Sequence, residues 1–599
     1  MDSSHRTADE AAPTHPAPAH LADLVAAAAA RHPDHPALVD AAARDTEAAV
    51  GTLTWAELDA AVSAEAGRLA AHGVAAGDRV AVRSRSGGLL AVAVLGALRE
   101  GAVAVPLPPG DDGAGDVAAA IVAHSAPTVL VDAAPDPRRW AVPVLGPPDL
   151  AARGASIPAA GGGEDLALLL YTSASRGVCL SHRAVLANRA QAAALRPAPV
   201  TPADRVLLSQ PLFHAYGLAA GLFQVCWAGA TAVLPGPGRP DANGLLDTVA
   251  RHRVSALAAV PSTYHALLEL SPERLRPALA GLRLCTCGGV PLPPAWSSAF
   301  RAATGHRIVE GYGLTEAGPV VTSTPLESAD PAVGSVGHVL PGIELRIVDR
   351  GGRPVDPSAA GIGEANGRTP AADGPGVEDL RAVATRAATE VRAAAGRGVA
   401  EVRAAAGRAA TEVRAAVRAV GPAGDPIGDM IDDAQDVEGP VDPAGDAGLI
   451  AVRGPNLFSG YWPGPVGGPD TDGWFRTPDL GFVDAAGELH LVDRSSDLIV
   501  VSGFTVYPHE VERVLAELGE VVEAAVVGVP DSRTGQAVRA VVVRAGTLDE
   551  EGVRGHCRSR LARFKVPAQV VFVDALPRTP SGRLARQRLA ETTGERTRP

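Results

Sequence analysis

The sequence predicts an α/β protein in which a large N-terminal domain of parallel sheets flanked by helices carries a β-barrel-like subdomain and precedes a small α+β C-terminal domain. Three observations predict it. From about residue 20 to 350, apolar β-like runs alternate with Ala- and Leu-rich helical stretches. Residues 334–356 change to alternating polarity with glycine turns. Residues 495–599 mix two helical and two strand-like segments.

Along the N-terminal domain, each strand-like run precedes a helical one. Residues 1–19 are polar and predict a disordered tail. The domain then covers 20–356 and resumes at 444–494. DRVAVRS (78–84) stands before LLAVAVLGALREG, and TAVLPG (231–236) before NGLLDTVARHR. This order is typical of parallel sheets, whose crossover connections are helices.

A low-complexity insert, 357–443, interrupts the β-barrel-like pattern. Within it, 379–420 repeats every 11 residues and carries an excess of arginine. Eleven residues make almost three helical turns, so one stripe of apolar residues forms along the helix: Leu380, Val391, Val402 and Val413. Two interpretations stay open, an amphipathic helix that contacts a lipid surface or a partner, and a duplicated low-complexity helix tolerated at the surface. The small side chains favour the second.

The C-terminal domain is expected to start at about residue 495. YPHEVERVLAELG (507–519) and EEGVRGHCRSRLARF (550–564) predict helices. Between them, VVEAAVVGVPD (521–531) and AVRAVVVRAG (537–546) predict strands. Helices and strands in this order indicate a compact α+β unit.

The bulk composition excludes several classes of protein. A net charge of −13 argues against a nucleic-acid binder, because phosphates require an excess of positive charge. The most membrane-like run is broken by Arg99 and Glu100, so no membrane span is expected. Five cysteines in 599 residues and a polar N-terminus indicate a reducing, cytoplasmic location. Lys565 is the only lysine among 54 basic residues, so a lysine replaced by arginine is weak evidence of lost function here.

Several separated segments carry residues suited to a nucleotide. Tyr312 offers a flat face to a purine, and Thr315 offers a hydroxyl to a phosphate. Glu316 offers a hard oxygen ligand to Mg²⁺. Asp479 can accept hydrogen bonds from both ribose hydroxyls, with Arg494 beside it. Each motif alone is weak, but together, in this order, they indicate binding and activation of an adenosine nucleotide.

A glycine pair, Gly288 and Gly289, allows the backbone to approach a flat ring closely. The most specific segments are GYGLTEAG, GWFRTPDLG, VSGFTVYPHEVE and PRTPSGR. Over 20–355 and 445–595 the sequence closely resembles the adenylate-forming superfamily, in its fatty acid–CoA ligase branch. The resemblance implies ATP and Mg²⁺, with coenzyme A as co-substrate. It also implies a mobile C-terminal domain that rotates between two half-reactions: formation of an acyl-adenylate, then its attack by the coenzyme A thiol.

The resemblance also implies roles for individual residues. Tyr312 with Gly313 lies against adenine, Thr315 near the α-phosphate and Glu316 on Mg²⁺, while Asp479 and Arg494 hold the ribose. The remaining implied residues are His214 between acyl pocket and thiol tunnel, Gly503 beside the pantetheine arm, Arg583 at the carboxylate and α-phosphate, and Thr172, Ser173, Ser175 and Arg176 in the phosphate loop.

The sequence departs from the family pattern at several points. The phosphate loop YTSASRGVCLSH (171–182) is roughly four residues short, which removes backbone donors for the β- and γ-phosphates. Arg583 stands where the family has lysine and is bulkier and planar. Ser496 occupies the hinge position, and Pro478 replaces the glycine before Asp479.

Three functions therefore stay open. The first is an active carboxylate–CoA ligase for a small-molecule acid, most simply a fatty acid. The second is a catalytically degenerate homologue that binds adenylate or acyl ligands. The third is an acyl-adenylate ligase without the coenzyme A step, expected if the insert blocks domain rotation. Retention of Thr315, Glu316, Asp479 and Arg494 favours the first.

Overall fold

The structure is a computed structural model, and it describes residues 18–41, 51–109, 115–133, 139–172, 176–236, 241–326, 332, 334–349, 352–355, 447–464, 466–494, 497–501, 504–531, 534–578 and 584–591. The chain divides into two compact units. Every described residue belongs to the first unit, which comprises both Met1–Val355 and Asp446–Pro599. The tail up to residue 17 and the insert at 357–443, with its 379–420 repeat, lie outside the described residues. Their boundaries, like those of the domains, stay predictions.

The strands of the described residues fall into two large sheets, two smaller ones and a C-terminal sheet. In chain order they are β1 (Pro36–Asp40), β2 (Thr52–Thr54), β3 (Arg79–Arg83), β4 (Val103–Leu107), β5 (Val129–Asp132), β6 (Val144–Leu145), β7 (Leu166–Tyr171), β8 (Gly177–Ser181), β9 (Arg205–Leu208), β10 (Thr231–Leu234), β11 (Ala256–Ala259), β12 (Leu284–Cys287), β13 (Ile308–Glu310), β14 (Thr322–Ser323), β15 (His338–Val339), β16 (Glu344–Val348), β17 (Gly448–Arg453), β18 (Gly460–Tyr461), β19 (Trp474–Val483), β20 (Leu489–Arg494), β21 (Ile499–Val501), β22 (Phe504–Val506), β23 (Val521–Asp531), β24 (Gly535–Arg544) and β25 (Gln569–Phe572).

The helices connect these strands, as the alternating pattern predicted. They are α1 (Asp23–Arg31), α2 (Trp55–Ala71), α3 (Gly87–Arg99), α4 (Gly115–Ser125), α5 (His182–Ala193), α6 (Phe223–Ala228), α7 (Ala242–Arg251), α8 (Pro261–Leu268), α9 (Pro272–Leu279), α10 (Pro294–Thr304), α11 (Pro508–Ala516), α12 (Glu550–Arg558) and α13 (Arg586–Glu591). A π-helix spans Tyr216–Leu222, and 3₁₀ turns span Thr315–Ala317 and Arg563–Lys565.

Two seven-stranded sheets form the body of the N-terminal domain. In the first, the order is β13-β12-β11-β9-β10-β1-β2, and only the β1–β2 edge is antiparallel. In the second, the order is β18-β8-β7-β4-β3-β5-β6, and β18, β8 and β7 pair antiparallel. The other pairs of the second sheet are parallel. Central strands of the two sheets, such as β4 and β10, are buried along their whole length, because helices cover both faces of parallel sheets.

A four-stranded antiparallel sheet, β16-β17-β19-β20, forms the barrel-like subdomain. Its register shifts inside β19: Leu449 faces Leu480, but Ala451 faces Arg476, so the residues between them bulge out. Pro478 lies in this bulge, where its missing N–H breaks no ladder hydrogen bond. The same bulge presents Asp479 beside it.

The small C-terminal domain packs two helices on a mixed sheet. Its strands run in the order β22-β21-β24-β23 with β25 parallel to β24, and α11 and α12 cover one face around Val511, Leu515 and Val553. The helix predicted at 550–564 is too long: α12 ends at Arg558, and a turn leads to the 3₁₀ segment Arg563–Lys565. The predicted α/β class with an antiparallel subdomain and a separate C-terminal domain is confirmed.

The apolar run at 89–107 is a buried helix and strand, α3 and β4, rather than a span. The Arg99 guanidinium, almost fully buried, lies 2.6 Å from the Asp59 carboxylate of α2 and donates to the Ser63 hydroxyl. A buried arginine thus has its counter-ion in the neighbouring helix. Within the part of the chain that the structure describes, no helix is long and apolar enough to cross a membrane.

Candidate active site

A cavity of about 1140 Å³ opens at the carboxyl ends of the parallel strands of the first sheet. The residues just after β9, β11, β12 and β13 line it, including Gln210, Val260, Gly288 and Tyr312. Ligands of open α/β sheets bind at this edge, where loops leave the strands. The bulge of β19 and the β7–β8 hairpin line the cavity as well.

Tyr312 and Asp479 meet in this cavity although they are far apart in sequence. The Tyr312 hydroxyl donates to Oδ2 of Asp479 at 2.7 Å, and both side chains are buried. The Asp479 backbone N–H donates to the Thr477 hydroxyl at 3.2 Å, which fixes the bulge. Across the ladder Asp479 pairs with Arg494, so the two predicted ribose-binding positions are neighbours on β19 and β20. The Arg494 side chain lies outside the described atoms.

Thr315 and Glu316 end the YGLTE segment (312–316) and begin the 3₁₀ turn Thr315–Ala317. Oε1 of Glu316 accepts a hydrogen bond of 2.9 Å from the hydroxyl of Tyr461, at the end of β18. Burial, and then the negative charge of Glu316, raise the pKa of Tyr461 well above its ordinary value, so the phenol stays a donor. The Arg176 guanidinium lies 5.4 Å from the centre of the Tyr461 ring. Tyr461 therefore contacts both Glu316 and the shortened loop.

The two flanks of the shortened phosphate loop pair as the antiparallel strands β7 and β8. Tyr171 pairs with Gly177, and the Thr172 N–H donates to the Arg176 carbonyl at 3.2 Å. Thr172 and Arg176 both line the cavity. The loop therefore supplies an arginine to the cavity. The Thr172 N–H is already bonded to the Arg176 carbonyl and so is not a free donor for a phosphate. Ser173 and Ser175 lie outside the described residues.

The segment that follows His214 forms the π-helix Tyr216–Leu222, and π-helical turns are frequent at functional sites. His214 lines the cavity with its ring 4.4 Å from that of Phe213. The Tyr216 hydroxyl lies 3.2 Å from the Thr286 hydroxyl and 3.3 Å from the Ala259 carbonyl. A Cβ on Gly288 would lie no closer than 3.7 Å to its neighbours, and Gly288 and Gly289 both line the cavity. The close approach of a flat ring to this backbone stays a prediction.

Besides Tyr461, the cavity residues not expected from the sequence include Arg189, Gln224 and Glu310. The side chains of Arg189 on α5 and Gln224 on α6 are hydrogen-bonded at 3.1 Å. Glu310, at the end of β13, has a pKa raised to about 7 by burial. They stand in helix and strand patterns that fit core positions equally well, so no local signal identifies them.

Most of the predicted site residues thus line one cavity. They are Thr172, Arg176, His214, Gly288, Gly289, Tyr312, Gly313, Thr315, Glu316 and Asp479. Gly503 and Arg583 lie outside the described residues, and their roles stay predictions. Gly313 has a backbone role: a Cβ there would lie 2.1 Å from the Pro319 carbonyl oxygen.

Comparison with known proteins identifies the class. The AMP-binding enzyme family matches residues 25–365, and its C-terminal domain family matches 510–583. The chain belongs to this family, in the acyl-CoA synthetase branch of the adenylate-forming superfamily, and is an enzyme of the acid–thiol ligase class.

Three proteins show the similarity in detail. A feruloyl-CoA synthase of Amycolatopsis is 30% identical over 89% of this chain and 92% of its own. A long-chain-fatty-acid–CoA ligase of Yersinia pestis is 30% identical over 71% of this chain, which spans 61% of that protein. An o-succinylbenzoate CoA synthetase of Bacillus subtilis, solved with an acyl-adenylate intermediate, is 25% identical, with a TM-score of 0.70 over 96% of this chain and 99% of that one. These matches support ATP-dependent ligation of a carboxylate to coenzyme A through an acyl-adenylate.

Proposed function

We propose that this chain activates a largely apolar carboxylic acid, of the fatty acid type, with ATP and Mg²⁺ and transfers the acyl group to coenzyme A. One observation carries the proposal. A single cavity is lined by the predicted nucleotide residues Tyr312, Thr315, Glu316 and Asp479, by His214 and by many apolar side chains. A nucleotide and an acid bound in the same cavity can react directly, since positioning supplies much of the rate enhancement.

The chemistry needs no nucleophile from the protein. A carboxylate oxygen of the acid attacks the α-phosphorus of ATP, and the bond to pyrophosphate breaks. The sulfur of coenzyme A then attacks the acyl carbon, and AMP leaves with the oxygen. The chain's part is to hold the reactants in line and to stabilise charge at phosphorus. Tyr312 and Asp479 hold the nucleoside in this scheme, and Thr315 and Arg176 face the phosphates.

The residues present fit Mg²⁺. This ion prefers oxygen ligands and keeps several waters and substrate phosphates, so one protein carboxylate suffices. The Glu316 carboxylate has Oε1 bonded to the Tyr461 hydroxyl, which orients it, and the Thr315 hydroxyl stands next to it in sequence. Bound there, Mg²⁺ would neutralise charge on the phosphates.

The experiment is acyl transfer by the full chain with and without coenzyme A. Acids from acetate to palmitate are supplied with ATP and Mg²⁺, and hydroxylamine traps any acyl-adenylate. We expect hydroxamate without coenzyme A and acyl-CoA with it. Glu316→Gln should lower both at least 100-fold, because a charged metal ligand is lost.

The outcomes separate the three functions left open by the sequence. Hydroxamate without acyl-CoA would show an adenylate ligase that lacks the second step. No product from any acid, with AMP still raising the melting temperature, would contradict the proposal and favour a ligand-binding homologue.

A further inference from the structure

Arg189 differs from the other buried arginines of the described chain in having only neutral partners. Arg99 lies 2.6 Å from the Asp59 carboxylate, and Arg83 lies 3.0 Å from that of Asp132. Arg189 is equally buried, 1% exposed, yet within the described ranges no carboxylate lies within 4.0 Å of it. Among the described residues, no carboxylate therefore compensates its charge.

The contacts of Arg189 account for only part of its donors. Nη1 donates to Oε1 of Gln224 at 3.1 Å, and Nη2 contacts Oδ1 of Asn188 and, at 3.5 Å, the Gly318 carbonyl. Nε of Arg189 and Nε2 of Gln224 are buried donors with no acceptor among the described residues. A guanidinium has five N–H donors and no acceptor, so what this pair lacks is an acceptor.

A buried cation without a counter-ion is unfavourable, since burial removes its hydration. Burial lowers the pKa of Arg189 to about 9, so the group is still largely charged at neutral pH. Arg189 and Gln224 both line the cavity, as do the apolar side chains of Leu195, Val200 and Val225. The missing anion can therefore come from the molecule that occupies this cavity.

We propose that the acid activated by this enzyme carries a second carboxylate, which pairs with the guanidinium of Arg189 and accepts from Nε2 of Gln224. The proposal rests on the acyl-activating function above and names its substrate class: a dicarboxylic acid, one carboxylate reacting at the nucleotide and the other bound between α5 and α6. Arginine and carboxylate match in charge and in bidentate geometry. Arg189 is then a specificity-determining residue.

The experiment compares acids matched in length. Butyrate and succinate, hexanoate and adipate, octanoate and suberate, and decanoate and sebacate are assayed by hydroxamate formation with the full chain. For at least one pair, kcat/KM for the diacid should exceed that for the monoacid at least 10-fold. Arg189→Met should abolish this preference while keeping the monoacid rate within a few fold, and Arg189→Lys should keep part of it.

Arg183→Met is the matched control, since Arg183 lies on the same helix but is partly exposed and paired with Glu164. It should leave the diacid preference unchanged. A monoacid preference at every length in the unmodified chain, or a ratio unaffected by Arg189→Met, would overturn the proposal. If Arg189→Met does not fold, Arg189→Lys provides the test through its ratio of kcat/KM for diacid over monoacid. An unchanged ratio would contradict bidentate pairing, because lysine is a cation of a different shape.

A binding measurement distinguishes failure of this proposal from failure of the proposed function. Melting temperatures are recorded with AMP and each acid. If no acid is turned over, but diacids raise the melting temperature of the unmodified chain and not of Arg189→Met, the second-carboxylate site stands and the catalytic proposal fails. If no diacid raises it more than its matched monoacid, the second-carboxylate site is refuted.

Discussion

At the scale of single residues, Tyr461 connects the shortened loop to the predicted metal ligand. Its hydroxyl orients Glu316, and its ring lies against Arg176. We expect Tyr461→Phe to raise the Mg²⁺ concentration needed for half-maximal adenylation about 10- to 100-fold, the usual loss when a partner that orients a metal ligand is removed.

The rate of adenylation measured against free Mg²⁺ checks this prediction. Tyr264→Phe is the control, because Tyr264 is fully buried and its hydroxyl donates to a backbone carbonyl, that of Thr286. It should lower stability without moving the Mg²⁺ dependence. An unchanged Mg²⁺ curve for Tyr461→Phe would show that Glu316 needs no such partner.

At the scale of elements, the YGLTE loop depends on a close approach of two backbone segments. Gly313 bridges to Val320, and a Cβ on Gly313 would lie 2.1 Å from the Pro319 carbonyl oxygen. Because real Cβ atoms never approach backbone oxygen so closely, Gly313→Ala must move the loop that carries Tyr312 and Thr315. We expect at least a 100-fold loss of adenylation in a chain that still folds, measured as hydroxamate formation.

The matched control is Gly67→Ala in the middle of α2. No atom lies within 4 Å of the added Cβ, so this change should keep full activity and stabilise the helix by up to about 1 kcal/mol. Full activity of Gly313→Ala would mean that the loop is not held by this contact.

The N-terminal segment contacts α5 through two neutral histidines, His20 and His182, whose ring centres lie 3.8 Å apart. Nδ1 of His182 accepts from the Leu21 N–H at 3.1 Å, and Nδ1 of His20 accepts from the Ala22 N–H at 3.0 Å. Burial lowers the pKa of His182 to about 3, with a further contribution from His20, and lowers the pKa of His20 to about 4. The charge of Arg99 lowers the pKa of His20 further, and that of Asp165 opposes it.

These shifts predict how stability depends on pH. In the unfolded chain both histidines take up a proton near pH 6.5, whereas in the folded chain they do not until about pH 4 and 3. Above pH 6.5 the two neutral histidines do not reduce the free energy of unfolding. As the pH falls towards 4, the free energy of unfolding decreases by at most about 1.4 kcal/mol per pH unit for each histidine. The side chain introduced by His182→Asn still accepts a hydrogen bond but does not titrate. This change should therefore reduce the slope of the free energy of unfolding against pH by about the contribution of one histidine.

Urea unfolding at several pH values between 7 and 4 measures the slope. His72→Asn, at an exposed position, is the control and should follow the unmodified chain. If the unmodified chain and His182→Asn lose stability with the same slope as the pH falls, the prediction that His182 is neutral in the folded chain is wrong.

At the scale of the whole molecule, the architecture could be predicted because the same strand-and-helix pattern recurs many times along the sequence. Strand and helix alternate over hundreds of residues, and the structure has two seven-stranded sheets with helical connections. The site was predictable where residues stand in compact motifs. Tyr312 and Glu316 share one loop, and Asp479 lies in a bulge that tolerates Pro478.

What could not be predicted depends on contacts between distant segments. Tyr461 reaches Glu316 across 145 residues, and its own segment reads as an ordinary strand. Arg189 and Gln224 lie on different helices, and only the fold shows that both line the cavity. Only the fold shows, too, that no carboxylate of the described part of the chain pairs with Arg189. The helix predicted to extend to residue 564 ends at Arg558, because the chain continues from there as a turn.

We expect this chain to form an acyl-adenylate although its phosphate loop is shortened. The most direct measurement is exchange of labelled pyrophosphate into ATP by the full chain, with and without a carboxylic acid. We predict exchange that requires both the acid and Mg²⁺, since the first step is then reversible on the enzyme. No exchange with any acid, while AMP still raises the melting temperature, would contradict the claim and leave a nucleotide-binding protein without adenylation.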